Sequence, residues 1–138
     1  MTEFWQAFCE FLSLERGDLF ARLAVLTEET AAQMNITAHK TLPEICVYHI
    51  LDSVSVADQI PDQGCVCDVG TGGGFPGLVL AILRPETEFT LLDATEKKVR
   101  AVERTAQDLG LTNVRALCGR AEELGSRAFR DRFDLVVS

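Results

Sequence analysis

The chain has 138 residues, 47% of them apolar and 25% charged, the size and balance of one soluble globular domain. Its net charge of −8 excludes indiscriminate attraction to nucleic acid or anionic lipid, and its longest apolar run, Leu78 to Leu83, is far too short to cross a membrane. No basic stretch leads into an apolar one at the start, so the cytosol is the expected address.

The first segment, residues 1–63, reads as helical. Phe4, Phe8, Phe11 and Leu12 recur at helical spacing, and Leu19, Leu23 and Leu26 do so again after Gly17–Asp18. The apolar face of the first helix, Trp5 included, reads as core. Residues 34–43 form a connection in which Asn35 and Thr37 cap or tie the loop and His39 is exposed. Pro43 is placed to open a helix through Ile50 and Val54. On that helix His49 and Asp52 stand three apart; they could bond to each other or approach a site, and the structural reading is preferred. Pro61–Asp62–Gln63–Gly64 is a turn.

The second segment, residues 64–138, alternates short β-type runs with helices. Strands are predicted at Cys65–Val69, Phe89–Leu92, Val114–Leu117 and Phe133–Val137, and helices at Pro76–Leu83, Thr95–Leu109 and Glu122–Phe129. In the middle helix Val99, Val102, Ala106 and Leu109 share an inner face, and Gly110 ends it. Alternation of this kind predicts an α/β fold with a parallel, Rossmann-like sheet. The pattern stops one strand past the switch point, as expected of part of a longer protein, and leaves an apolar edge open to pairing between copies.

Cys9, Cys46, Cys65, Cys67 and Cys118 contain no CxxC pair, so neither a disulfide nor a metal site is expected. No Ser/His/Asp order or carboxylate dyad stands out, and no catalytic residue is nominated. Lys97, Lys98, Arg100 and Arg104 on one helix, and Arg127, Arg130 and Arg132 near the last strand, could pair with phosphates. Their interleaving with Glu103, Asp108 and Asp131 favours a solvated face for the helix set.

The stretch from Cys67 to Gly77 places five glycines in eleven residues directly behind the first apolar strand. Gly72-x-Gly74-x-x-Gly77, with Asp93 about twenty residues on, satisfies a dinucleotide fingerprint. Asp68, however, closes the strand immediately before Gly70, and a carboxylate there opposes a pyrophosphate and favours a cation. S-adenosylmethionine, with its ammonium and sulfonium, suits such a loop: main chain from Gly70 through Gly72 to Gly74 borders the methionine part, Asp68 supplies negative potential and Asp93 accepts from the ribose. A NAD-type oxidoreductase domain and a non-catalytic interaction module built on the helical half remain alternatives.

Six stretches carry a more specific resemblance: Met34–Ala38, His49-Ile50-Leu51-Asp52-Ser53, Asp68–Leu78, Leu91-Leu92-Asp93, Lys97-Lys98-Val99 and Gly119–Leu124. In these the chain resembles the bacterial small-subunit ribosomal RNA guanine-N7 methyltransferases, the glucose-inhibited division protein B family. The resemblance implies a class I methyltransferase using S-adenosylmethionine on 16S ribosomal RNA. It implies that Gly70 and Phe75 line the cofactor and that Ala121 and Glu122 lie beside its adenine. Three departures are visible: Gly73 stands where relatives carry a more restricted residue, Ala94 replaces a frequent serine, and a cofactor-binding arginine is expected beyond Ser138.

Overall fold

Strand β1 (Gly64–Val69) is one of the two inner strands of a four-stranded parallel sheet. In this computed structural model residues 16–122 and 132–138 are described, together with Glu3, Ala7, Phe8 and Glu10. The remaining elements of the sheet are β2 (Thr87–Asp93), β3 (Val114–Cys118) and β4 (Leu135–Val137), in the order β3-β2-β1-β4. The register pairs Asp68 with Leu91 and Val137, and Asp93 with Cys118, so both predicted acids stand at the carboxyl edge. Order reverses between β1 and β4. Crevices at such a reversal are where parallel sheets hold ligands.

The helices follow from burial. Helix α1 (Gly17–Gln33) turns Phe20, Leu23 and Ala24 wholly inward. Each large apolar side chain removed from water contributes roughly 1.5–3 kcal/mol. A second helical stretch opens at α2 (Leu42–Glu44), where the Thr41 hydroxyl accepts the Glu44 N–H and Pro43 occupies the first turn. It widens into a seven-residue π-helix (Ile45–Leu51) and closes as α3 (Asp52–Val54). The predicted ordinary helix through Ile50 is thus corrected. Ile45, Cys46 and Ile50 are the buried members of the wide segment, a spacing that does not distinguish the two helix types in sequence. Short π segments gather at functional sites.

Helix α4 (Gly77–Leu83) lies under the sheet with Leu78 through Ile82 all buried. Helix α5 (Glu96–Asp108) buries Val99, Val102 and Ala106, with Leu109 just beyond, and Gly110 leaves it at φ +70°. Asn113 joins these layers: its side-chain amide donates to the carbonyls of Ala81, Arg84 and Thr87 at 3.1, 3.0 and 2.9 Å. That clamp holds the α4–β2 turn against the start of β3.

Most of the predicted first helix, with Trp5, and most of the predicted helix over 122–129, with Arg127 and Arg130, lie outside the described residues. Phe8 is helical and packs on the core. No helix among the described residues is long and apolar enough to cross a membrane, and Cys65, Cys67 and Cys118 are free thiols.

Candidate functional site

The loop after β1 uses up its own donors. Gly70 and Thr71 donate their N–H groups to the Leu92 carbonyl at 2.8 and 2.9 Å, and Gly74 and Phe75 donate theirs to the Thr71 carbonyl. Gly72 donates to Asp93 Oδ2 and Gly77 to Asp68 Oδ2, each at 2.9 Å. Of the seven backbone N–H groups between Gly70 and Gly77, only that of Gly73 has no acceptor among the described residues. A pyrophosphate site needs several free N–H groups aimed at the ligand. This loop offers one, with two carboxylates behind it, and that weighs against the dinucleotide reading.

Two glycines explain the shape of the cradle. Gly70 lies at φ +70° with open space where a Cβ would stand, so main chain there is exposed to whatever enters. Gly77 is the opposite case: a Cβ would sit 2.7 Å from Leu91 Cγ and 2.9 Å from Asp68 Oδ2. Gly73 has neither a positive φ nor crowding, its Cβ position being 3.5 Å from Ile36 Cδ1, so a side chain is admissible there.

Asp68 lies beneath the cradle rather than on its surface. It is 0% exposed; Oδ2 accepts from the Thr71 hydroxyl at 2.8 Å and from Gly77, while Oδ1 has no hydrogen-bond partner among the described residues. Burial pushes its carboxyl up to about 6, against the pull of those two donors and with a small push from Asp93. Asp68 therefore reaches a ligand through its field and not by contact. Asp93 is half-buried at the end of β2, with Oδ1 accepting from Thr95 N–H at 2.9 Å and Oδ2 from Gly72. Each oxygen keeps a second lone pair. Neither acid is ion-paired to a described residue.

Ala121 and Glu122 are exposed and helical just past β3. Gly119 ties that turn to the strand beside it by donating to the Asp93 carbonyl at 2.9 Å. Gly70, Gly72, Gly74, Asp93, Ala121 and Glu122 are thus brought to the carboxyl ends of β1, β2 and β3, and Asp68 lies just below.

Phe75 faces the other way, toward β4. Its ring stacks on His49, with centroids 4.7 Å apart, and the Phe75–Pro76 peptide is cis. His49 Nε2 meets Thr37 Oγ1 at 2.7 Å, and Thr37 also accepts the His39 N–H. His39 stacks on Tyr48 at 4.5 Å and meets His49 edge-on at 5.3 Å. The expectation that His39 is merely exposed is corrected: it is a half-buried ring in a four-ring chain from Phe75 to Tyr48. Burial, and then repulsion from His39, lower the pKa of His49; Asp52 opposes them. Beside these rings a cleft of about 380 Å³ opens between the π-helix, Phe75–Pro76 and Val137–Ser138, at the reversal between β1 and β4. Sequence reasoning missed Tyr48 and this cleft, because neither has a motif.

On the helix with Lys97 and Lys98, Arg100 is taken by Glu96 at 2.6 Å, in keeping with a solvated face. Among the described residues no group of three or more His, Cys, Asp or Glu could hold a metal ion.

A sequence model of one family, GidB, described as rRNA small subunit methyltransferase G, matches residues 18–138. The chain belongs to this family. It is 46% identical to the ribosomal RNA small subunit methyltransferase G of Deinococcus deserti over 123 residues, 87% of this chain and 50% of that one. It is 35% identical to the Porphyromonas gingivalis protein of the same name, over 99% of this chain and 61% of the relative. The chain therefore spans about half to three-fifths of the length of these curated GidB relatives. Among solved structures, the YcgJ protein of Bacillus subtilis is similar at 29% identity and TM-score 0.54, over 64% of this chain and 37% of that one. TYW2 of M. jannaschii, solved with AdoMet, shares the fold at TM-score 0.59 and 14% identity, over 77% and 43% of the two chains.

Proposed function

We propose that this GidB chain carries the donor-binding part of an S-adenosylmethionine-dependent methyltransferase that acts on N7 of a guanine in 16S ribosomal RNA. The observation that carries the donor assignment is the commitment of six of the seven loop N–H groups to internal acceptors, over two carboxylates with no ion pair among the described residues. A cradle with one uncommitted donor and negative charge beneath it fits a sulfonium and an ammonium. The partnerless Asp68 Oδ1 and the open space above Gly70 agree with that fit.

In this reading main chain from Gly70 through Gly72 to Gly74 borders the amino-acid end of the donor. Asp93 accepts from the ribose with its remaining lone pairs, and Ala121 and Glu122 flank the adenine. Phe75 forms the wall between donor and cleft. The bound donor supplies an activated methyl group: the N7 lone pair forms the new N–C bond as the C–S bond breaks, and the electron pair leaves with sulfur. Guanine N7 carries no proton, so the residues need only position the reactants, an effect worth up to about 7–11 kcal/mol. Family membership supports the RNA target.

The test uses the complete gene product that contains these residues, a labelled methyl donor and unmethylated small-subunit RNA. Label at N7 of one guanine is the expected result. Label confined to protein or small molecules, or saturable NADH binding without binding of the methyl donor, rejects the proposal.

A further inference from the structure

The cleft at the β1–β4 reversal contains a carboxylate for which the reading above has no use. Asp52 lines it together with Tyr48, His49 and Phe75, and it is the only Asp, Glu, Lys or Arg among the described lining residues. Its side chain is exposed and makes no hydrogen bond or ion pair among the described residues. The volume of about 380 Å³ lies in the range of small-ligand sites. Phe75 lines the cleft and, in the reading above, also walls the donor, which puts the cleft next to the transferred group.

We infer that this cleft seats the target base and that Asp52 reads the guanine edge bearing N1–H and the 2-amino group. The inference rests on the function proposed above and names the residue that selects its base. A carboxylate has two acceptor oxygens and no donor, so it can take both guanine donors side by side. Adenine turns an N1 lone pair to the same oxygens and is repelled. Phosphate is repelled as well, so the cleft suits a base and not the backbone. The aromatic rings at its rim offer the stacking that holds an unstacked base. Alkylation at N7 places positive charge on the purine and makes N1–H a stronger donor. The Asp52 contact therefore strengthens as the methyl group arrives, and so favours the transition state over the bound substrate.

Inosine keeps N1–H and N7 but lacks the 2-amino group, and therefore isolates one of the two bonds. Small-subunit RNA carrying guanosine or inosine at the target is methylated by the complete gene product, by D52A and by D52N. Wild type is expected to favour guanosine by about 10- to 100-fold in kcat/KM, the worth of one hydrogen bond to a charged group. Both variants are expected to be slower on guanosine, D52A with a ratio near one and D52N, whose amide keeps one neutral acceptor, with a ratio well below that of wild type. If D52A does not fold, D52N, which keeps the shape, carries the comparison. Equal wild-type rates on the two RNAs, or variants that keep the full guanosine preference, overturn the inference and leave methyl transfer to RNA standing. Absence of any wild-type RNA methylation overturns both.

Discussion

Gly72 donates its backbone N–H to Asp93 Oδ2 at 2.9 Å, across 21 positions of sequence and from one strand end to its neighbour. The acid that the sequence offers for a sugar is therefore already a strut of the glycine loop. Its second oxygen holds Thr95 N–H at the start of α5, so one carboxylate ties β2 to the elements on both sides. D93A frees the Gly72 and Thr95 N–H groups and removes the acceptor proposed for the ribose. Donor affinity, measured by calorimetry, is expected to fall by about tenfold or more, as hydrogen bonds to a charged group are worth about 1.5–3 kcal/mol. Unchanged affinity would show that Asp93 only braces the loop.

Gly70 and Gly77 separate binding from folding within the same loop. G70A sets a methyl group in open space, at a cost of about 1–2 kcal/mol for the left-handed backbone. G77A drives a methyl group into Leu91 and Asp68 in the core, where overpacking costs about 3 kcal/mol. Thermal melts and donor titrations are expected to part the two, with G70A folded but unable to bind and G77A unstable. Wild-type binding by G70A would move the donor away from the loop.

The sheet and α5 were legible because short apolar runs and a 3.6-residue period are local signals. The glycine loop was legible by composition, and Asp68 and Asp93 by their place at the ends of apolar runs. The depth of Asp68 was not: an acid after a strand looks the same whether it lines a loop or lies under it. The only hint was Gly77, whose missing Cβ makes room for Asp68 Oδ2. The ring chain was hidden for another reason. Thr37 and His49 are twelve residues apart, and His39 meets Tyr48 of the π-helix, whose wide turn leaves no mark in the sequence; pairings of this kind are tertiary and leave no period. The same widening hid the cleft around Asp52.

Asp68 makes stability depend on pH in an unusual direction. Its carboxyl is raised to about 6 in the folded chain from an ordinary value of 3.8, so the native state binds the proton more tightly than the unfolded state does. Stability from this group therefore falls as pH rises from about 4 to 6 and stays reduced above, by on the order of 2–3 kcal/mol. D68N removes the titration. Denaturant unfolding at several pH values is expected to show wild type losing stability relative to D68N across that window; parallel curves would mean that Asp68 is not perturbed.

His49 acts with the opposite sign. Its burial against Phe75, and then the neighbouring His39, lower its pKa from 6.5, and the unfolded chain takes up the proton first. The contribution is present above 6.5 and is lost as pH falls below that value. H49Q keeps a partner for Thr37 but cannot titrate. Between pH 7 and 5 wild type is expected to lose stability relative to H49Q, whereas the Asp68 comparison shows its variant losing ground to wild type as pH drops through 6. A D68N/H49Q double variant is expected to show the sum, since the two groups share no hydrogen-bond partner. Wild type and H49Q melting in parallel from pH 7 to 5 would place His49 in water rather than against the loop.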